Sequence, residues 1–462
     1  MLRAAQRVSL ALAALVLGAG CHDFDEVLID PGRDGGGGAD AGPTRDGGET
    51  RDGPLTDGGP VPDGTPPTDS GGDGGARDAV TQLSLGGGVS CALRASGAVT
   101  CWGGNDEGQL GDGTLSGRAS PMPVMGVPAA VEVRAGWAHV CARLSTGAVT
   151  CWGRANNGQL GDGRSDHPIC AMGRSCNTTP VTVMGISDAA RIAASSNSIC
   201  VARRGGSVSC WGSNSVGELG DGTTAARLTP VALGSPTGVT EITAGGGHVC
   251  ATSATAVYCW GANAFGQLGT GTADSGGCAC RTTSVEATAV ASPVEVAGGG
   301  NSTCARVGSG ATWCWGDNRA GQLGDGSFAH TCMGSTAMAD CSTAAVEVSG
   351  LSDVIEVDLG LFFACARRST GQVVCWGRNN KGQLGDGTSH GACAMSSGED
   401  CSSTPVEVSG LADAQAIAVG GAHACALRAT GAVVCWGSNS GGQLGDGTTT
   451  DSNVPVTVVG LD

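Results

Sequence analysis

The sequence predicts an all-β fold, a disulfide-rich seven-bladed β-propeller over residues 81–462. The first observation is a Cys-Trp-Gly motif that occurs seven times, beginning at Cys101, Cys151, Cys210, Cys259, Cys314, Cys375 and Cys435. The second is a variant of Gly-Gln-Leu-Gly-Asp-Gly after each motif, in which only Glu218 and Thr270 break the pattern. The third is composition: 83 residues are glycine and 3% are aromatic, which favours short strands and tight turns.

Each repeat contains four short segments with the alternating pattern of β-strands. In the second repeat they lie at 131–133, 140–142, 149–152 and 180–183. Four antiparallel strands in a repeat of about 50 to 60 residues are typical of a propeller blade. A parallel β-solenoid is the alternative, but its repeats are much shorter and lack paired hairpins.

The two ends of the repeat region suggest how the ring closes. The first repeat begins at Thr81 without a preceding Pro-Val strand, and the chain ends with such a strand at 455–459. We therefore expect this last strand to complete the blade begun at Thr81, so that strand pairing joins the two ends.

The N-terminus predicts an export signal. Arg3 and Arg7 precede and border a ten-residue apolar stretch that is too short to span a bilayer. We expect residues 1–20 to be a signal peptide. It is followed by Cys21 after small residues, as in bacterial lipoprotein precursors, although Gly18 stands where leucine is usual. The expected modification is acylation of Cys21, and a plain signal peptide with a nearby cleavage site is the alternative.

Residues 21–80 are expected to form a disordered linker rich in Gly, Asp and Pro. Residues 22–80 contain 14 acidic residues and four arginines and few apolar ones, so they cannot bury enough surface to fold. His22 is not the aspartate that commonly retains lipoproteins at the inner membrane. We therefore expect an exported, lipid-anchored protein at the outer membrane or cell surface of a Gram-negative bacterium.

The charge of the chain limits its partners. The net charge is −17 and Lys381 is the only lysine, which argues against a nucleic-acid surface. The sequence shows no Ser-His-Asp order, no phosphate loop and no acid pair that stands apart from the repeats. We expect no catalytic residue, no cofactor and no metal, and a monomer.

Besides Cys21 there are 22 cysteines, an even number that predicts disulfides in an oxidising compartment. Seven pairs lie within the predicted hairpins: Cys91/Cys101, Cys141/Cys151, Cys200/Cys210, Cys250/Cys259, Cys304/Cys314, Cys365/Cys375 and Cys425/Cys435. Six of these pairs are ten residues apart, with a glycine one place past the midpoint, which fits a tight hairpin that sets the cysteines opposite each other. This spacing does not fit a zinc site.

The other four pairs lie between the glycine-rich loop and the last strand, and only in the longer repeats. They are Cys170/Cys176, Cys278/Cys280, Cys332/Cys341 and Cys393/Cys401. Cys278 and Cys280 have one residue between them, so a bridge to a neighbouring insert is also open. Insertions at one place in a repeat emerge on one face of a ring, and this face is the expected binding surface. The alternative is that these disulfides only restrain long loops.

Three motifs together resemble the repeats of the regulator of chromosome condensation family. They are a strand similar to Gly-x-x-His-x-Cys-Ala-Leu that contains the first hairpin cysteine, the motif Gly-Ala-Val-x-Cys-Trp-Gly, and the motif Gly-Gln-Leu-Gly-Asp-Gly. The resemblance covers about residues 81–462. It implies a seven-bladed propeller, here of a bacterial, secreted lipoprotein type. The founding member is a nuclear guanine-nucleotide exchange factor that docks on chromatin, and some bacterial relatives are secreted, including one that plugs the active site of β-lactamases.

Repeated polar residues are expected to be structural. His139, His248 and His423 precede a hairpin cysteine by two places on different blades, which favours hydrogen bonding at blade edges. The tryptophans of Cys-Trp-Gly are expected between blades. The aspartates of the glycine-rich loops are expected to satisfy turn backbone groups, with a ring of calcium sites as the alternative.

The function predicted from the sequence is a surface-tethered, non-enzymatic propeller that binds an unidentified protein or glycan at the insert face. The first alternative is an inhibitor that presents its disulfide-tied loops to a secreted hydrolase. A hydrolase or lyase in the central channel is a further alternative. Guanine-nucleotide exchange is implied by the family resemblance alone.

Overall fold

A computed structural model of the protein describes residues 78–254, 256–275, 277–332, 340–393 and 399–461. The expected signal peptide, Cys21 and residues 22–77 of the expected linker lie outside these ranges. In the described part of the chain, no helix has the length and apolar character needed to cross a membrane.

The described residues form seven antiparallel sheets of four strands, each built from consecutive strands of one repeat. We call them blades 1 to 7. Blades 1 and 2 contain β1 (Val80–Leu85), β2 (Val89–Arg94), β3 (Val99–Gly103), β4 (Arg118–Pro123), β5 (Ala130–Ala135), β6 (His139–Leu144), β7 (Val149–Arg154) and β8 (Cys176–Thr182). One short 3-10 helix, η1 (Ala171–Gly173), precedes β8.

The remaining five blades repeat this order. Blades 3 and 4 contain β9 (Ala189–Ala194), β10 (Ser198–Arg203), β11 (Val208–Gly212), β12 (Arg227–Ala232), β13 (Val239–Ala244), β14 (His248–Ser253), β15 (Val257–Ala262) and β16 (Cys280–Glu286). Blades 5 and 6 contain β17 (Pro293–Gly299), β18 (Ser302–Val307), β19 (Thr312–Asp317), β20 (Cys341–Glu347), β21 (Val354–Leu359), β22 (Phe363–Arg368), β23 (Val373–Arg378) and β24 (Cys401–Glu407). Blade 7 contains β25 (Ala414–Val419), β26 (His423–Arg428), β27 (Val433–Gly437) and β28 (Ser452–Thr457).

The two middle strands of every blade form a hairpin that carries a disulfide. In blade 1, Cys91 lies directly opposite Cys101 in the register of β2 and β3, and the same pairing recurs in all seven blades. Their Cα atoms are 4.0–4.1 Å apart. Gly97 in the hairpin loop has φ +86°, a conformation that other residues adopt only with strain.

Each blade has two ends, which define two faces of the ring. The loop from the first to the second strand and the loop from the third to the fourth emerge together, as shown by the hydrogen bond from the Gly104 N–H to the Gly88 carbonyl. We call this side the top face. The hairpin loops and the connections to the next blade lie at the other end, the bottom face.

The tryptophans of Cys-Trp-Gly hold neighbouring blades together, as the sequence predicts. All seven are at most 2% exposed. Each indole N–H donates to the carbonyl of the second residue of the glycine-rich loop in the preceding blade, at 2.8–3.0 Å. The fourth residue of that loop must be glycine: at Gly111, φ is +67° and a Cβ would lie 2.8 Å from the Trp152 Nε1 atom.

The prediction for ring closure is wrong. The final strand β28 pairs with β27 of its own repeat, and blade 1 already has its own fourth strand, β4. The reason is that the glycine-rich loop returns the chain to the strand it has just left, so every repeat completes its own sheet. The ring closes instead by hydrogen bonds and side-chain packing between blades 7 and 1, with Val80, Leu83 and Trp102 of blade 1 in one cluster with Val458 and Leu461 of blade 7.

Candidate binding site on the top face

The inserts of blades 2, 4, 5 and 6 share one frame at the top of the outermost strand. The second cysteine of each insert begins that strand and lies opposite the residue that follows Cys-Trp-Gly: Cys176 opposite Arg154, Cys280 opposite Ala262, Cys341 opposite Asp317 and Cys401 opposite Arg378. The structure joins the insert cysteines as Cys170–Cys176, Cys278–Cys280, Cys332–Cys341 and Cys393–Cys401. All four inserts therefore emerge at the top face.

Three inserts also contact the glycine-rich loop of the preceding blade. In blade 2, Arg174 donates to the buried Glu107 carboxylate of blade 1 at 2.9 Å, beside the paired Arg154. In blade 5, the Cys332 sulfur lies 3.5 Å from the Phe265 carbonyl oxygen of blade 4. In blade 6, the half-cystines pack against Ala320 of blade 5. The inserts thus fasten adjacent blades as well as shaping the surface.

Blades 4 to 6 place aromatic rings and arginines together at this face. The Arg319 guanidinium lies 4.9 Å from the centroid of the Phe265 ring and 5.7 Å from that of Phe362. The Arg378 guanidinium lies 4.5 Å from the Phe362 centroid. Cation–π contacts of this kind hold both partners in place. We call Phe265, Arg319, Phe362 and Arg378, all half-buried, the arginine–phenylalanine cluster.

Carboxylates fix the arginines of the cluster. Asp317, which is fully buried, accepts hydrogen bonds from Arg319 at 2.9–3.2 Å. Glu399 in the blade 6 insert accepts one from Arg378 at 2.5 Å. The charges are thus balanced within the cluster, and the arginines lie over the phenylalanine rings.

Two large apolar side chains flank the mouth of the central channel at the top face. Trp137 and Leu361 occupy a loop position that is glycine or serine in the other five blades. The Trp137 ring lies over Gly87 of blade 1 and reaches Gly421 of blade 7, where an added Cβ would lie 3.2 Å from the ring. Both side chains are half-buried.

The central channel encloses a cavity of about 690 Å³ lined by the first strand of every blade. Three of its polar side chains bind the backbone of the next blade, whereas Glu241, Glu295 and Glu356 pair with arginines. The Gln82 side-chain oxygen accepts from the Val133 N–H at 3.1 Å, Ser84 from Ala135 at 2.9 Å, and Thr243 from Gly298 at 3.2 Å. These groups tie neighbouring first strands together and do not form a catalytic set.

Asp358 is the most perturbed acid in the channel. Burial raises the pKa of its carboxyl to about 7, although the N–H groups of Val419 and Leu359 oppose this by donating to it. The bond to Val419 is 2.8 Å long and crosses from blade 6 to blade 7. Asp358 thus occupies the position in blade 6 that Ser84 occupies in blade 1, and both side chains accept a hydrogen bond from the backbone of the next blade.

The buried histidines lie at blade edges, as predicted, but with unequal partners. His423 Nε2 lies 2.8 Å from Ser90 Oγ of blade 1, and His248 Nε2 lies 2.9 Å from Thr303 Oγ1 of blade 5. Each hydroxyl donates its own proton to a glutamine carbonyl at 2.8 Å, so the histidine Nε2–H must be the donor. His139 has no hydrogen-bond partner in the described part of the chain.

Burial excludes the charged form of all three histidines. It lowers the pKa of His139 and His423 to about 3 and that of His248 to about 4, and for His139 the charge of Arg154 adds to the effect. Neutral, fully enclosed imidazoles on separate blades have no access to a substrate, which agrees with a structural role.

The aspartates of the glycine-rich loops satisfy turn backbone groups, as predicted. Asp112 accepts the Thr114 N–H at 2.9 Å, and the corresponding aspartates of five other blades make the same bond: Asp162, Asp221, Asp325, Asp386 and Asp446. Among the described residues, no group of three or more His, Cys, Asp or Glu side chains is arranged to hold a metal ion.

Residue-by-residue reading of the sequence found the insert face but missed the side chains that make it distinctive. Phe265, Phe362 and Trp137 were not singled out. The available signal was departure from the repeat: Phe362 and Trp137 stand at loop positions where other blades have small or short polar residues. A comparison of the seven repeats position by position would have identified them.

Four-stranded blades, tryptophan-sealed junctions and long top loops define a seven-bladed β-propeller with a broad top face. The repeat profile of the regulator of chromosome condensation (RCC1) family matches residues 96–143, 205–252, 256–306, 370–427 and 430–462. A second profile of the same repeat matches 80–109, 130–159, 354–383 and 414–443. The chain belongs to the RCC1 repeat family.

Curated relatives are much longer proteins. The human E3 ubiquitin-protein ligase HERC2 is 29% identical over 265 residues, which is 55% of this chain and 5% of that protein. The human probable E3 ubiquitin-protein ligase HERC6 is 34% identical over 160 residues, 33% of this chain and 14% of that protein. The chain thus spans a small part of the relatives it matches.

Solved structures confirm the fold. Prp20p from Saccharomyces cerevisiae, described with its binding to Gsp1p and histones, is 21% identical, with a TM-score of 0.61 over 74% of this chain and 80% of that one. Human WBSCR16 is 19% identical, with a TM-score of 0.60 over 78% of this chain and 94% of that one. At these identities the likeness concerns the fold alone.

Proposed function

We propose that the protein is a tethered binding propeller that recognises another protein through its top face. The observation that carries this proposal is the arginine–phenylalanine cluster. It brings three arginine–phenylalanine contacts together on blades 4 to 6, and Trp137 adds a third large aromatic ring on the same face. Aromatic residues and arginine are enriched among the residues that contribute most to binding at protein interfaces.

The local electrostatics favour a partner with apolar groups over a strongly charged one. Arg319 and Arg378 are neutralised by Asp317 and Glu399 and lie over the rings of Phe265 and Phe362, so the cluster combines half-buried aromatic rings with paired charges. An apolar centre with a polar rim is the usual anatomy of a protein-binding surface.

The test compares the two faces of the ring. Phe265→Ala with Phe362→Ala should weaken partner binding by at least about tenfold, as expected for hot-spot residues. Met125→Ala with Met184→Ala is the matched control, because these side chains are 56% and 55% exposed at the bottom face and should leave binding unchanged. The readout is quantitative cross-linking of purified variants in cell-envelope extract. Equal loss in both pairs, or loss in neither, would contradict the proposal.

We also propose that acylated Cys21 anchors the mature protein at the outer membrane or cell surface of a Gram-negative bacterium. The support is the run of small residues that ends at Cys21 and the acidic linker that follows it. Cys21→Ser should release the protein from membranes and abolish palmitate labelling. Membrane association of this variant, together with unlabelled wild type, would overturn the anchor.

A further inference from the structure

The blade 4 insert differs from the other three inserts in how its disulfide is closed. In blades 2, 5 and 6 the two cysteines are 6, 9 and 8 positions apart, whereas Cys278 and Cys280 are 2 positions apart. Their Cα atoms are nevertheless 5.2 Å apart, close to the 5.3–5.9 Å of the other inserts. One intervening residue must therefore fold the chain back on itself.

That intervening residue is held in an unfavourable conformation. Ala279 has φ +44°, in the left-handed region that residues with a Cβ rarely adopt. Its carbonyl accepts the Asn263 N–H at 2.9 Å, so the frame of the insert fixes it from the other side. The corresponding carbonyls of Ser175, Asp340 and Asp400 accept the same bond without such a backbone. The short disulfide and the frame together impose the strain.

The same disulfide is also more open to solvent. Both cysteines of the blade 4 insert, Cys278 and Cys280, are half-buried. In the other inserts the second cysteine is buried, at 0% exposure for Cys176 and Cys341 and 6% for Cys401, although the first cysteines Cys170 and Cys332 are half-buried. Cys280 lies opposite Ala262, a small side chain, whereas its counterparts lie opposite arginine or aspartate. Thiols in solution can thus reach the sulfur atoms of the blade 4 insert. They cannot reach those of the hairpin cysteines, which are at most 1% exposed.

From these observations we infer that Cys278–Cys280 is a thiol-exchange site, a disulfide that reacts reversibly with external thiols under conditions that leave the other ten closed. A ring of three residues gains little from reduced chain entropy, and opening it releases the strain at Ala279. Accessible, strained disulfides are the reactive ones. The inference is independent of the proposed partner binding, although Asn263 places the site two residues from Phe265.

The exchange takes place in two steps. A thiolate, such as that of glutathione, attacks one sulfur of Cys278–Cys280, which forms a mixed disulfide and releases the other cysteine as a thiolate. A second glutathione thiolate attacks the glutathione sulfur of the mixed disulfide. The products are oxidised glutathione and the two cysteine thiols, so two electrons pass from glutathione to the protein. Oxidised glutathione reverses both steps.

The test titrates the full-length oxidised protein with graded mixtures of reduced and oxidised glutathione, followed by acid quenching, alkylation and peptide mass spectrometry. Cys278 and Cys280 should become alkylated at a glutathione ratio at least about tenfold more oxidising than any other pair. Cys393–Cys401 in the same molecule is the control, because it closes on the same frame but is buried. If Cys278–Cys280 opens together with the control or after it, the inference is wrong.

Two variants test how the backbone strain at Ala279 and the solvent exposure of the cysteines contribute to the reactivity. Ala279→Gly allows the left-handed conformation without a Cβ, so its disulfide should need a several-fold more reducing glutathione ratio to open than that of the wild type. Cys280→Ser should accumulate one glutathione on Cys278, since the resolving thiol is absent. An Ala279→Gly protein that titrates like the wild type would remove the strain from the explanation and, with it, the basis for distinguishing this site.

Discussion

The junction between blades 7 and 1 joins the two ends of the propeller, whereas the junction between blades 2 and 3 is continuous in the chain. Both are sealed by the same tryptophan bond, Trp102 to the Gln443 carbonyl and Trp211 to the Gln159 carbonyl, each 2.9 Å long. They differ at the buried histidine: His423 donates to Ser90 across the closing junction, but blade 3 has Ile199 at the place of Ser90. At this position the junction without covalent continuity has a hydrogen bond that the continuous junction lacks.

The largest expected effect concerns what the two junctions share. Trp102→Ala and Trp211→Ala should each lower the free energy of unfolding by about 3–5 kcal/mol, since each removes a buried indole and its hydrogen bond. The two losses should agree within about 1 kcal/mol. Chemical denaturation monitored by circular dichroism measures both. A loss confined to Trp102→Ala would mean that closure depends on contacts that the inner junctions lack.

The next largest effect concerns the buried histidine, which has a hydrogen-bond partner at the closing junction and none at the junction of blades 2 and 3 in the described structure. His423→Leu should cost about 1–3 kcal/mol, because the Ser90 hydroxyl loses its donor in a fully buried site. His139→Leu should be neutral or stabilise by about 1 kcal/mol, because it removes two buried nitrogens that have no partner in the described structure. The same denaturation experiment compares them. If the two substitutions cost the same, the hydrogen bond to Ser90 contributes nothing.

The smallest effect is a change in pH dependence. The folded-state pKa of His139 is lowered to about 3, against about 6.5 in the unfolded chain, so its contribution to stability is present above pH 6.5 and lost as the pH falls toward 3. His139→Leu should therefore reduce the slope of stability against pH between 6 and 4.5 by about 1 kcal/mol per unit.

The control for this slope is His423→Leu, which should reduce it by a similar amount because burial lowers the pKa of His423 equally. Asp358 has a raised pKa of about 7 and contributes with the opposite sign, but it is present in every variant and cancels from the comparison. An unchanged slope in both variants would show that the histidines are charged when folded.

Features within one repeat could be predicted from the sequence, whereas contacts at the junctions between blades could not. Strands, hairpins and facing cysteines follow from local spacing: the ten-residue separation of Cys91 and Cys101 already places them opposite each other. The closure prediction failed because it counted a strand as missing from the first repeat, although β4 was present with an atypical sequence, Arg118–Pro123. Whether the last strand of the chain belongs to the first or to the last repeat can be decided only when the end of each repeat is known.

Contacts between blades were beyond local patterns for a different reason. Whether His139, His248 or His423 finds a partner depends on the next repeat, which carries Ile199, Thr303 or Ser90 at one position. The contact of Phe362 with Arg319 likewise joins residues of adjacent blades. Such pairs become predictable only when the ring, and hence the order of neighbours, is known.

Because each repeat completes its own sheet and the last junction copies the others, the order of blades around the ring does not depend on where the chain begins. Linking residue 461 to residue 78 and opening the chain between β4 and β5 would give a circular permutant with the same seven junctions. By the same reasoning, duplication or loss of one repeat adds or removes a whole blade and leaves no strand without a partner. The unit of change in this protein is therefore the complete blade.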